Sequence, residues 1–408
     1  MIFKPSTAFL AFALLARAAD ANIPIRSLTN VNVNDHRGYF SDPYHVVYED
    51  SQEIYISGTT HKYLRCDHPL QPGCATAQNI TYKHNDAIKH AANSSNTYIC
   101  GVAGIHPFQS GSGPNLTWDA VATLHVQHSP NCTGISGWSV IVHASPTDTT
   151  TSIPPTSWIT DKILIGSFSD NVDATYDGKY FRLPSGQLYL IYQAQYSPLP
   201  TKRDGVVAVP MDDPTSFTPD GKTTYLLRPG PDYNSENYVA GNDSFKLIET
   251  GNIRAINGKF LMAYSVGAYN RKTYKVGIAW SDTFLPADGE GYRKVLKDNP
   301  DRLWKSKGEK EVYYLLQAEV QHDGWRYVGA QVLAPGVPTV ASIGERGNCV
   351  LLFAGYDPKD AEVDKKGKFE ASKRRPYFVG LNVAVPKDRS VKDAKDEELQ
   401  SWIMPLHG

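Results

Sequence analysis

Long apolar runs are nearly absent from this sequence. After Ala21 no segment holds enough consecutive apolar residues for a membrane helix, which predicts a soluble mature protein with no membrane partner. A surplus of charge is missing too. The 41 Lys and Arg balance 42 Asp and Glu, for a formal net charge of -1, which argues against nucleic acid or an anionic membrane as main partner. Helical periodicity is scarce. No Gly-x-Ser-x-Gly elbow is present, which speaks against a typical α/β-hydrolase. His61, His68, His84, His90, His106, His125 and His128 crowd the first third, but without metal-ligand spacing, and they read as loop histidines. Gly111-Ser112-Gly113 reads as a turn rather than a phosphate loop.

The N-terminus is the exception to the missing apolar runs. Lys4 precedes an apolar stretch from Ala8 to Ala16, followed by Ala18, Ala19 and Ala21. This is the pattern of a secretory signal peptide over residues 1–21, cleaved after Ala18 or Ala21. Five N-x-[ST] sequons, at Asn79, Asn93, Asn115, Asn131 and Asn242, fit a secreted, extracellular glycoprotein. Cysteine is sparse, five in all. Cys66, Cys74, Cys100 and Cys132 share the region of the first four sequons and allow three pairings, of which Cys66–Cys74 with Cys100–Cys132 is preferred. Residues 66–132 thus read as a disulfide-bearing, glycosylated insert. Cys349, in an apolar strand, reads as a buried free thiol.

The remaining chain, 22–408, reads as a single domain of short strands and turns. Glu53–Gly58, Gln187–Tyr192, Lys259–Tyr264 and Tyr274–Ala279 alternate, carry β-branched and aromatic residues, and are bounded by turn formers. Ala361–Lys373 reads as a solvated loop and Ser390–Gln400 as a short surface helix. A loose repeat links Asp42–Gly58, Asp177–Tyr192, Glu249–Tyr264 and Pro338–Ala354: a strand, a turn, then a second, more aromatic strand. Units of this length suit propeller blades better than sandwich hairpins. Residues that open the innermost strand of each blade converge at one end of the axis. Three of these openings carry an acid: Asp42, Asp177 and Glu249. Crowded carboxylates repel and raise one another's pKa, an arrangement that glycoside hydrolysis uses. Glu249 lies between Leu247-Ile248 and Gly251-Asn252-Ile253, apolar surroundings that favour a protonated acid. Asp170 and Asp173 rival Asp177, and Glu236 and Glu319 are weaker candidates.

Three stretches resemble the motifs of glycoside hydrolase family 43. Asp42-Pro43-Tyr44 before Gly58-Thr59-Thr60 is similar to its first acidic motif. Asp177-Gly178-Lys179-Tyr180-Phe181 before Gly186-Gln187-Leu188-Tyr189 is similar to the second. Glu249, with Asn257-Gly258-Lys259 and Tyr264-Ser265, is similar to the third. The resemblance implies an all-β, five-bladed β-propeller and an inverting mechanism. It makes Asp42 the general base, Asp177 the residue that tunes and orients, and Glu249 the general acid. Two departures mark a divergent member or a neighbouring family. Thr250-Gly251-Asn252 follows Glu249 where Pro is usual, and Val337 follows Gly336 where many members carry a channel His.

The expected function is a secreted glycosidase acting on cell-wall polysaccharide or oligosaccharide side chains. Arabinofuranosides come first on resemblance, then xylosides or galactosides. The partner is a glycan substrate and the protein a monomer. No cofactor is required; a channel cation such as calcium is compatible with the fold but not indicated by the residues. The alternatives are a non-catalytic carbohydrate-binding propeller, with Trp118, Trp138 or Trp158 as platforms, and a secreted interaction protein without a sugar ligand.

Overall fold

The computed structural model describes residues 26–27, 42–46, 54–57, 61–66, 76–111, 115–133, 137–147, 154–169, 176–196, 202–230, 233–239, 242–287, 291–298, 310–317, 332–342, 348–359 and 361–405. They form a five-bladed β-propeller. Blade 1 pairs Tyr44–Val46, Ile54–Ser57, Lys62–Cys66 and Thr76–Asn79 in chain order. Blade 2 is the meander Tyr98–Ser110, Thr117–Gln127, Gly137–Pro146 and Ser157–Ile165. Blade 3 holds Tyr176–Arg182, Leu188–Tyr196, Lys202–Asp213 and Thr224–Leu227. Blade 4 holds Asn242–Ile256, Lys259–Val266 and Lys275–Ser281, edged by Arg293–Lys294 and Tyr314–Gln317. Blade 5 holds Leu333–Ser342, Asn348–Tyr356 and Arg375–Val383. Its outer edge is composite, with Arg26–Ser27 pairing at Phe378 and Tyr377 and Ile403–Pro405 at Val383 to Leu381. The first strand of each blade touches that of the next all round the ring.

The core lies between blades. Leu188, Leu190 and Tyr192 pack against Val121 and Ile141 of blade 2. Tyr189 and Ile191, on the other face of the same strand, pack against Ile248, Met262 and Tyr264 of blade 4. The run Leu188–Tyr192 is therefore apolar throughout, because both faces are covered. Each Leu or Ile buried in this way contributes about 1.5–3 kcal/mol.

Several sequence expectations change here. Residues 76–132 are not an insert: they supply the outer strand of blade 1 and the first two strands of blade 2. What is added to blade 2 is a parallel edge strand, Thr81–His84, and a helix, Asp86–Ser94. The helix starts where the Asn85 side chain accepts from the Ile88 amide at 2.9 Å, and it buries Ile88 and Ala92, one turn apart. The C-terminal helix is Asp396–Ser401, which overlaps the second half of the expected segment and ends one residue beyond it. Cys100 and Cys132 form a disulfide, and Cys349 is a buried thiol outside any disulfide. Cys74 and the Cys66 side chain lie outside the described residues. Asn79, Asn93, Asn115 and Asn131 are exposed; the Asn242 side chain is outside the described set. No helix among the described residues is long and apolar enough to cross a membrane.

Candidate active site

The inner strands share one irregularity. Each of those in blades 2 to 5 slips register in a comparable place, between Val102 and Ile105, Tyr176 and Lys179, Glu249 and Asn252, and Gly336 and Thr339. At the slip a residue takes positive φ: Gly104, Asp177 (57°), Thr250 (55°) and Val337 (54°), and Asp42 (54°) stands at the same place in blade 1. Outside glycine this conformation costs about 1–2 kcal/mol, least for Asp. Such bulges re-aim side chains beside functional sites. The three acids are thus not strictly equivalent. Asp42 and Asp177 occupy the left-handed position itself; Glu249 stands one residue earlier and Thr250 takes that position.

Two residues further along, each inner strand contributes to a ring around the axis: Tyr44, His106, Lys179, Asn252 and Thr339. Contacts cross from blade to blade. The Tyr44 and His106 rings lie 4.5 Å apart. His106 Nδ1–H donates to the Gly178 carbonyl at 2.6 Å, Asn252 Oδ1 accepts from the Val340 amide at 3.0 Å, and Thr339 donates to the Pro43 carbonyl at 3.0 Å. Burial pushes His106 down to about 3, so its imidazole is neutral. His106 is therefore a ring member on a strand, not a loop histidine. His84 and His125 also sit on strands, and His90 on the helix.

The ring brings the three acids together. Glu249 is 7% exposed. Its Oε2 accepts from the Tyr176 hydroxyl at 2.8 Å and its Oε1 from the Tyr274 hydroxyl. Burial, reinforced by the charges of Asp177 and Asp42, pushes its carboxyl up to about 8 against the pull of the two tyrosines. Asp177 rises to about 6, through burial and the Asp42 charge, with Lys179 and Arg374 opposing. Asp42 accepts from Arg374, a residue 4% exposed. Arg374 also lies over the rings of Tyr274 and Tyr269, at 5.7 and 5.8 Å, and its Nε and Nη2 have no protein partner. Lys179 is buried, its charge within reach of all three acids, and burial lowers its pKa. Tyr269 is 39% exposed.

A polar tie locks blades 4 and 5 beneath Glu249. Ser265 Oγ bonds Thr250 Oγ1 at 2.6 Å and accepts from the Val337 amide at 2.7 Å. Thr250 and Val337 depart from the family-43 pattern, and both are built into this tie. Gly336 leaves room for Tyr274: a Cβ there would stand 1.8 Å from the tyrosine ring.

Other candidates fall elsewhere. Glu236 is fully buried, paired with Lys294 at 2.5 Å and bonded by the Gly230 amide, away from the three acids. Trp118, Trp138 and Trp158 are buried in the core between blades 1 and 2 and cannot serve as sugar platforms. Asp170, Asp173, Glu319 and His68 lie outside the described residues. Sequence reasoning missed Arg374, Tyr176, Tyr269 and Lys179. Tyr176 and Lys179 flank Asp177, and that adjacency was the available signal; Arg374 lies 332 residues from Asp42.

Solved structures with this fold include a thermostable family-43 glycoside hydrolase, with TM-score 0.53 and 13% identity over 88% of this chain and 94% of that one. An alpha-L-arabinofuranosidase from Lactobacillus brevis gives 0.54 and 14%, over 87% and 94%. An exo-1,5-alpha-L-arabinanase from a bovine ruminal metagenomic library gives 0.54 and 14%, over 91% and 97%. At such identities the likeness is one of fold, and the fold is family-43-like. No protein-family profile matches the sequence, and no curated protein does.

Proposed function

We propose that the protein is a secreted, glycosylated, monomeric glycoside hydrolase that inverts anomeric configuration. The observation that carries this reading is Glu249, a buried carboxyl held by two tyrosine hydroxyls and pushed to about 8 beside two other acids. A carboxyl in that state is protonated at neutral pH and can give its proton to a departing glycosidic oxygen. Asp42, oriented by Arg374, takes a proton from water as the water oxygen attacks the anomeric carbon from the opposite face. The carbon–oxygen bond breaks as Glu249 protonates the leaving oxygen. Solvent then returns the two carboxyls to their starting states. Asp177 keeps Glu249 protonated through its negative charge. The spare N–H donors of Arg374 bind sugar hydroxyls, and Tyr269 lends an aromatic face. The scheme needs no cofactor.

The substrate class is a cell-wall glycan side chain, with arabinofuranosides first and xylosides or galactosides next. The likeness in fold to arabinose-releasing enzymes supports this order. The test is a glycan panel scored for released monosaccharide, with the first-formed anomer followed by proton NMR. Release with inverted configuration supports the reading. Retained configuration overturns inversion, and no release from any arabinan, arabinoxylan, xylan or galactan overturns the function.

A further inference from the structure

The axial channel continues past the ring, away from the three acids, into a cavity of about 400 Å³. It is lined mainly by inner-strand residues, with all five blades contributing, and none of Asp42, Asp177, Glu249 or Arg374 contributes to it. Three cationic side chains line it: Lys179 at the ring, Arg254 further down, and Arg182 towards the far face. Gln109, Asn252 and Thr339 add polar groups, and among the described lining residues none is acidic. Lys179 is 5% exposed, and the charges of Asp177, Asp42 and Glu249 act on it from outside the cavity lining. Arg254 is partly buried, and burial lowers its pKa, as expected for a cation short of water.

We propose that this cavity is a binding site for a small inorganic anion, seated between Lys179 and Arg254 with Arg182 at the outer mouth. Like charges around a low-dielectric cavity repel one another, and the potential they create concentrates anions. At about 30 Å³ for each water, the cavity has room for an anion of halide or phosphate size with part of its hydration. The same residues make a poor cation site. No group of three His, Cys, Asp or Glu among the described residues could hold a metal ion, and position 337 is valine.

The experiment is a crystal of the full mature chain soaked in bromide, read by anomalous scattering, with inorganic phosphate as a second probe. A bromide peak is expected in the channel between Lys179 Nζ and the Arg254 guanidinium. Chloride should raise the melting temperature at constant ionic strength. Arg254→Met should abolish both effects, and Arg254→Lys should keep the peak. Water alone in the channel at saturating bromide and phosphate overturns the proposal, as does a bound cation. A peak unchanged in Arg254→Met marks an adventitious ion and also overturns it. Should Arg254→Met not fold, Arg254→Gln takes its place with the same expected loss of the peak. None of these readouts depends on glycosidase activity, so this site and the catalytic reading stand or fall separately.

Discussion

At the scale of single residues, Glu249 sets the sharpest expectations. Glu249→Gln keeps the shape and can still meet the hydroxyls of Tyr176 and Tyr274, but carries no transferable proton. Turnover of substrates with poor leaving groups should fall by about 10²–10⁴, and aryl glycosides with activated leaving groups should suffer much less. Equal losses on both would remove Glu249 as the acid. The same variant should be more stable than wild type. Below pH 4.5 Glu249 is protonated whether folded or not. As pH rises towards about 8 the folded chain must hold a proton that the unfolded chain releases, and stability is lost across that window. Glutamine escapes this cost, on the order of 3 kcal/mol by pH 7. Denaturation at pH 4 and pH 7.5 checks the sign, since the advantage of Gln must grow with pH. The basic limb of kcat/KM should fall near pH 8, where Glu249 ionises. Asp177→Asn removes a charge that holds the proton on Glu249, so the limb should move to lower pH. Tyr274→Phe removes a bond that favours the carboxylate, so the limb should move higher. Movement in the same direction would refute this account of the site. The acids were legible in sequence because each sits at a turn before a strand of recognisable pattern. Arg374 was not, because nothing local marks it: it adjoins a charged stretch that reads as solvated, and only the closed ring brings it to Asp42.

At the scale of elements, the inner-strand bulge makes the site, and its register was only half legible. Sequence spacing placed Asp42, Asp177 and Glu249 at equivalent openings. Backbone conformation shows that Thr250 holds Glu249's expected place, a shift that spacing alone cannot reveal. The helix Asp86–Ser94 escaped notice because its apolar face is just Ile88 and Ala92, too few positions to register as a period. Strands such as Leu188–Tyr192 were found, but their burial on both faces is set by neighbouring blades rather than by local pattern. The same dependence on neighbours makes Gly336 essential. Gly336→Ala would drive a Cβ into the Tyr274 ring, so ring or strand must shift. Stability should fall by about 1–3 kcal/mol, and kcat should fall with it as Tyr274 leaves Glu249. An unchanged melting temperature together with wild-type kcat would show that Tyr274 does not need this seat.

At the scale of the whole molecule, the acids stay together only while the ring is closed. Asp42 comes from blade 1 and its partner Arg374 from just before the third strand of blade 5, so the site straddles the closure. That closure is made twice. The inner strands of blades 1 and 5 meet at the Thr339–Pro43 hydrogen bond. At the rim, Arg26–Ser27, from before blade 1, covers the strand of blade 5 at Phe378 and Tyr377. An uncovered strand offers unpaired backbone groups to other chains. The expected signal cleavage after Ala18 or Ala21 spares this strand, and a cut only a few residues later would remove it. A chain beginning at residue 22 should therefore fold and remain dispersed. A chain lacking residues 22–27 as well should melt about 2–5 °C lower and aggregate in a concentration-dependent way. Its kcat/KM should also fall if blades 1 and 5 drift apart, because Asp42 would lose Arg374. Thermal unfolding of the two chains side by side, with light scattering, is the measurement. Identical melting and scattering would mean that the inner-strand contact alone holds the ring, and that Arg26–Ser27 is dispensable to the fold.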